Sequence, residues 1–384
     1  MASLLETLGE LIGSNRKYRE VASRHSRTFV CRCGTHIFFR NSLCLHCQAT
    51  LGYIPDEGRM VAIDPGPQSG TWVAEGVRSP QKCCGNRDTA ARCNWMVAAD
   101  DPNPRCIACR LNRTIPNLDD ADNARYWGLI ELAKRRLVSE LLALGLPVKS
   151  KVDEDPERGL MFDFLRSPAE GPPVMTGHAG GLITLNVEEA DDSAREKIRF
   201  EMHEPYRTLL GHLRHEVGHY YWDRLIADTS WLERFRDLFG DERADYAAAL
   251  RANYENGPPA DWSNRYISAY ASTHPWEDWA ETWAHYLHMI DSLGTAFGFG
   301  LDARDLEGTI APFERDALYA PNAEGAGHFL ALLNSWIEMT MVVNELARSM
   351  GQADFYPFVM SKPMVAKLQF VHLVVEGARS GLES

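Results

Sequence analysis

From Asn123 to Leu146 the chain reads NARYWGLIELAKRRLVSELLALGL, and the apolar positions Trp127, Ile130, Leu137, Leu141 and Leu144 recur three, four or seven residues apart. At 3.6 residues per turn they fall on one face and predict a helix of about 23 residues. Asp119 to Asp122 supply its cap, and the Pro-containing acidic stretch TIPNLDDAD (114–122) reads as a domain boundary. The pattern then changes period. GLMFDFL (159–165) and GLITLNV (181–187) read as strands separated by a Pro/Gly-rich loop, and the second is expected to offer a free sheet edge. DDSAREKIRFEMHE (191–204) reads as a helix ending before Pro205, with another starting at Pro205/Tyr206. Pro275 opens a further helix on which Trp276, Trp279, Trp283 and Leu287 form a core stripe. At the N-terminus, MASLLETLGELIGSNRKYRE breaks its apolar run with acids and predicts a short amphipathic helix. The expected fold class is α+β, mostly helical with a small sheet, divided into an N-terminal helix (1–24), a cysteine-bearing module (25–115) and a large domain (116–384).

Composition narrows the setting. Of the 384 residues 45% are hydrophobic and 24% charged, as in a folded globular chain, and no run of 18 apolar residues predicts a membrane span. The N-terminus lacks the basic start of a secretory signal, so a cytoplasmic location is expected, with its nine cysteines reduced and available to metals. The net charge of −13 is uneven: residues 25–114 come to +4, residues 1–24 to +1, and the remaining 270 to −18. An acidic body of that kind argues against broad nucleic-acid binding.

All nine cysteines lie between positions 31 and 109. Cys31 and Cys33, then Cys44 and Cys47, form two tight pairs, the spacing of a tetrahedral four-thiolate zinc site. The second group holds Cys83, Cys84, Cys93, Cys106 and Cys109. Cys106-x-x-Cys109 with Cys93 and one of Cys83 and Cys84, Cys84 preferred, completes a second set. Both sites are read as structural zinc, and the thiolate charge they add cancels the module's positive balance. The module is therefore not a basic nucleic-acid clamp, and the partner expected for it is a protein.

In LRHEVGHYYWDRL (213–225), His215, Glu216 and His219 stand in the order H-E-x-x-H. On a helix the two histidines share a face and can reach one metal, while Glu216 can hold a water beside it. A catalytic zinc needs a third protein ligand and an open fourth position. Two stretches offer one. GDERADYAAAL (240–250) has Asp241, Glu242 and Asp245. In YASTHPWEDWAETWAHYLH (270–288), Glu277 and Glu281 stand at i and i+4, so that one carboxylate can bind metal and the other can hold a ligand histidine's second nitrogen.

With these motifs the chain resembles the gluzincin metallopeptidases, above all the zinc-binding metallopeptidases that carry an N-terminal zinc ribbon. The matching features are the ribbon cysteines, CNW, CRLNRTIP, GHAGGLITLN, HEVGHYYWDRL, DERADY and SAYASTHPWEDWAETWAHYLH. The resemblance implies a zincin-like metallopeptidase domain behind a small zinc-ribbon module. From the lethal-factor-like and Mlc-titration-factor-like gluzincins it implies Glu277 as the third ligand and Glu281 as the carboxylate behind a ligand histidine. From the lethal-factor-like group it implies Tyr270, seven residues earlier, as an assisting tyrosine. The expected activity is hydrolysis of peptide bonds in a peptide or protein substrate, with one catalytic and two structural Zn²⁺ and Glu216 as general base. A catalytically silent zinc-binding scaffold and a zinc hydrolase of non-peptide amides are the alternatives.

Overall fold

The computed structural model describes residues 28–201, 208–301, 311–379 and 381. The N-terminal helix expected over 1–24 lies outside them. Residues 18–197 form one compact unit and residues 198–384 the main part of another.

The first unit opens with a hairpin of β1 (Phe29–Val30) and β2 (His36–Ile37). Five strands follow as an antiparallel meander in chain order: β3 (Thr50–Ile54), β4 (Arg59–Pro65), β5 (Trp72–Ala74), β6 (Gln81–Cys83) and β7 (Met96–Ala98). Ile54, Val61, Ile63, Ala74 and Met96 form its core. These strands are two to seven residues long, too short to carry a visible alternation. After β8 (Asn112–Thr114) comes α1 (Ala121–Ala143), capped by the Asp120 carboxylate, which accepts from the backbone N–H groups of Asp122 and Asn123. Its apolar stripe, Trp127, Ile130, Leu137, Leu141 and Leu144, is buried as the periodicity requires.

The two expected strands are present as β9 (Met161–Leu165) and β11 (Leu182–Asn186), joined through β10 (Gly177–Ala179). The sheet order is β10-β11-β9-β8. β11 runs parallel to β9 and antiparallel to β10. Both edges of GLITLNV are therefore hydrogen-bonded, which overturns the expectation that it offers a free edge. The edge of this sheet is instead β10, which pairs with β11 alone.

The helix α2 (Asp192–Glu201) spans the division, and the rest is helical: α3 (Leu209–Leu225), α4 (Trp231–Phe239), α5 (Tyr246–Asn256), α6 (Pro275–Gly298), α7 (Ala326–Ser349) and α8 (Lys362–Arg379). The motif helix is described from Leu209, where the Thr208 hydroxyl accepts from Gly211 N–H and caps it; the start expected at Pro205/Tyr206 lies outside the described residues. α6 is the centre of this unit, buried almost continuously from Glu277 to Leu293. α3 lies against it at Gly218, where a Cβ would stand 3.0 Å from the Ala280 Cα. Trp279 Nε1 donates to the Gly218 carbonyl at 2.8 Å, tying the helices at that crossing. Phe235, Phe239, Trp279 and Phe370 join α4, α6 and α8 through edge-on and stacked ring contacts.

In the first unit Gly128 marks a second close approach: a Cβ there would meet the Ala90 carbonyl oxygen at 2.7 Å. Gly128→Ala should gain about 1 kcal/mol of helix propensity but lose about 1–3 kcal/mol to overpacking against a backbone atom. The expected result is a lower denaturation midpoint. An unchanged midpoint would show that α1 backs away freely.

Candidate metal centres and active site

One turn of α3 and the first turn of α6 face each other across the Gly218 crossing. His274 caps α6: its Nδ1 accepts from Trp276 N–H at 3.1 Å, and Pro275 takes the first helical position. This start sets Glu277 on the face opposite His215 and His219. His215 Nε2 stands 3.0 Å from Glu277 Oε2 and 3.2 Å from His219 Nε2, and His219 Nε2 stands 3.6 Å from the same oxygen. Ligand atoms around a tetrahedral zinc, at about 2.0–2.1 Å from the metal, lie about 3.3 Å apart. The three atoms thus form one face of such a tetrahedron and leave its fourth corner open; the donor set fits zinc.

The atoms behind that face are fixed as well. His215 Nδ1–H donates to Glu281 Oε1 at 2.6 Å, which leaves Nε2 for a metal. Ser268 Oγ–H donates to Glu281 Oε2 at 2.6 Å and accepts from Ala271 N–H. Burial alone would raise the Glu281 carboxyl, but the hydrogen bond and charge of His215, the charge of His285 and the Ser268 hydroxyl together outweigh it and hold the group at about 2. Burial pushes the Glu216 carboxyl above its ordinary value, against the pull of the neighbouring histidines. The Tyr270 ring lies 6.0 Å from that of His215, and burial raises its phenol. Of the tryptophan stripe, Trp279 and Trp283 are core, while half-buried Trp276 packs edge-on against His219.

The stretch GDERADY contributes something other than a carboxylate. Asp241 pairs with Arg243, Glu242 with Arg236, and Asp245 caps α5 by accepting from Ala248 N–H. It is Tyr246 that reaches the site, its hydroxyl donating to Glu277 Oε1 at 2.8 Å. Neither Tyr246 nor Ser268 stood out in the sequence. An aspartate before a run of alanines is a helix-cap signal, and reading it so would have removed Asp245 from the ligand candidates.

The cysteines gather into two tetrads, Cys31, Cys33, Cys44, Cys47 and Cys84, Cys93, Cys106, Cys109, each with its sulfurs within 4.8 Å of one another. Neighbouring sulfurs at 3.6–3.7 Å match the edge of about 3.8 Å that Zn–S bonds of about 2.3 Å require. Cys84, and not Cys83, faces the second set; Cys83 lies on β6 with its thiol raised by burial. All nine are free thiols. The second tetrad is wholly buried, and α1 closes it: the Cys109 thiol meets Glu131 Oε2 at 3.7 Å, Lys134 Nζ binds Glu131 Oε1 and Asn112 Oδ1, and Arg135 donates to the Ala91 carbonyl at 3.0 Å. Lys134 and Arg135 offset the negative charge of a buried four-thiolate site.

Two metal-suited tetrads ahead of a helical unit that converges two histidines and a glutamate define a zinc-binding protein of ribbon-plus-helical type. Residues 123–374 match the family described as "Putative zinc-binding metallo-peptidase", and residues 28–120 match a zinc-ribbon domain. The chain belongs to this zinc-binding metallopeptidase family. It is 42% identical over 352 residues to an uncharacterised protein of Mycobacterium bovis and to two of Mycobacterium tuberculosis strains, covering 91% of this chain and 95% of each relative. No solved structure matches it. The matched regions meet between residues 120 and 123, inside the first compact unit, so α1 packs with the cysteine module although it belongs to the metallopeptidase match.

Next to His215 on α3, the buried Arg214 guanidinium lies 2.6 Å from His288 Nδ1 and donates to Asp291 at 2.9 Å, both on α6. His285, one turn nearer the site, has its ring nitrogen pushed down to about 4 by burial and contacts the Tyr356 hydroxyl at 2.6 Å. Removing one member of a buried ion pair strands its partner, at a cost of about 3–5 kcal/mol. Arg214→Met should therefore lower unfolding free energy by roughly that amount, and the double variant Arg214→Met/Asp291→Leu should recover most of it. Equal losses in both variants would show that the charges are not coupled.

Proposed function

We propose that the protein is a zinc-dependent, gluzincin-like peptidase that hydrolyses peptide bonds. The observation that supports this best is the convergence of His215 Nε2, His219 Nε2 and Glu277 Oε2 at 3.0–3.6 Å beside the buried carboxylate of Glu216. On this reading His215, His219 and Glu277 would hold the catalytic zinc, which would supply a Lewis acid and lower the pKa of water to roughly 7. Glu216 accepts the water's proton and delivers it to the leaving amine nitrogen; a carboxyl already raised by burial is suited to carrying a proton between two partners. Tyr270 O–H donates to the substrate carbonyl oxygen as it gains charge, an effect worth about 2.7–4 kcal/mol in comparable sites. Glu281 keeps His215 Nε2 turned toward the metal.

The tetrads act as two structural zinc sites, in a module (25–115) preceding the zincin-like domain (116–384), and this module is the surface through which a protein partner would dock. No helix among the described residues is long and apolar enough to cross a membrane, and a cytoplasmic setting suits nine reduced thiols.

Elemental analysis of protein purified without added metal should give two to three zinc per chain; a value near zero with the fold intact would remove the ribbon reading. Incubation with a cell-extract peptide library should yield cleavage products. Glu216→Gln should keep metal and fold and lose hydrolysis, because an amide cannot accept the proton, and Tyr270→Phe should lose less. Turnover unchanged in Glu216→Gln would exclude it as the base.

A further inference from the structure

We infer that Tyr246 is a positioning residue that holds Glu277 to one-oxygen coordination and so keeps the fourth place on the catalytic metal open. The two carboxylate oxygens of Glu277 have different partners. Oε2 faces both histidine nitrogens, at 3.0 and 3.6 Å, whereas Oε1 accepts the Tyr246 hydroxyl at 2.8 Å. A carboxylate whose second oxygen is uncommitted can bind a metal through both, and the place then filled is the one that water and substrate need. Oε1 is committed here.

The hydroxyl is aimed by backbone anchors, not by burial. Tyr246 is the first residue of α5, a helix that buries none of its side chains. Two contacts fix its start. Asp245 caps it, and His274 Nε2–H donates to the Ala244 carbonyl at 3.1 Å while its Nδ1 accepts from Trp276 N–H. The His274 ring also lies edge-on to Tyr246, with centroids 5.3 Å apart. The residue that caps the helix bearing Glu277 therefore also sets the residue that holds Glu277. Because Tyr246 is itself 37% exposed, removing its hydroxyl opens no cavity in the core.

The inference rests on the reading of His215, His219 and Glu277 as metal ligands, but not on peptide hydrolysis. The test uses the full chain, with zinc left in the cysteine tetrads and the third equivalent exchanged for cobalt(II) after mild chelation. In the parent protein the d–d absorption of that cobalt should have the intensity of a four-coordinate ion. In Tyr246→Phe it should weaken and shift as the glutamate binds through both oxygens, while the circular dichroism stays unchanged. Peptide turnover, if the parent shows it, should fall about 10–100-fold in kcat with little change in KM. Tyr254→Phe, an exposed tyrosine on the same helix, should match the parent in both measurements. A Tyr246→Phe spectrum identical to the parent's overturns the role even if activity falls. A parent that takes up no third metal overturns it together with the metal site. A parent that binds cobalt and cleaves no peptide removes the proposed activity and leaves the spectral comparison decisive.

Discussion

The constraint on which the helical unit depends is the distance between α3 and α6. Two histidines on one helix and a glutamate on another can share a metal only if the helix axes come close, and Gly218 sets that closeness. With no side chain between them, its Cα faces the Ala280 backbone, and the Trp279 indole is hydrogen-bonded to the Gly218 carbonyl. Leu, Val or even a displaced Ala at this point would spread the histidines and Glu277 beyond the 3.0–3.6 Å that now separates their ligand atoms. The glycine of HEVGH is thus as much a part of the site's geometry as the ionisable residues beside it. The buried Arg214–Asp291 pair, about one turn from Gly218 on α3 and about three turns from Ala280 on α6, links the same helices and fixes their register as well as their separation.

Much of this could be read along the chain because it rests on local spacing. The i, i+4 placement of His215 and His219, the like placement of Glu277 and Glu281, and the two close pairs of the first tetrad are short-range patterns. The 3.6-residue period of α1 and the capping acid before it are equally local. What the sequence withheld depends on partners far away in the chain. Tyr246 meets Glu277 across 31 positions and Ser268 meets Glu281 across 13, with no motif to announce either. The interior place of GLITLNV depended on β10, a three-residue strand in a loop rich in Pro and Gly. The meander β3–β7 was hidden for the same reason: its strands are brief, and their register is set by pairing.

The two tetrads illustrate how one ligand set serves different surroundings. In the first, Cys31 and Cys44 are buried while Cys47 is exposed, so water reaches one side of the cluster. The second is sealed by α1, whose Lys134 and Arg135 bring positive charge to a place no solvent ion can enter. Glu131, Lys134 and Asn112 satisfy one another there, which makes the buried charge tolerable only as a set.

That seal has a consequence for the order of assembly. Cys84, Cys93, Cys106 and Cys109 all precede α1 in the chain, and α1 is the lid over them. With all four cysteines buried beneath α1, an ion bound there would have to be loaded before the lid docks or when it lifts. Loading would then be coupled to folding, and exchange afterwards to local unfolding, with the slowness of that event. The first tetrad, with Cys47 exposed, has no such lid, so an ion held there would face the solution from one side.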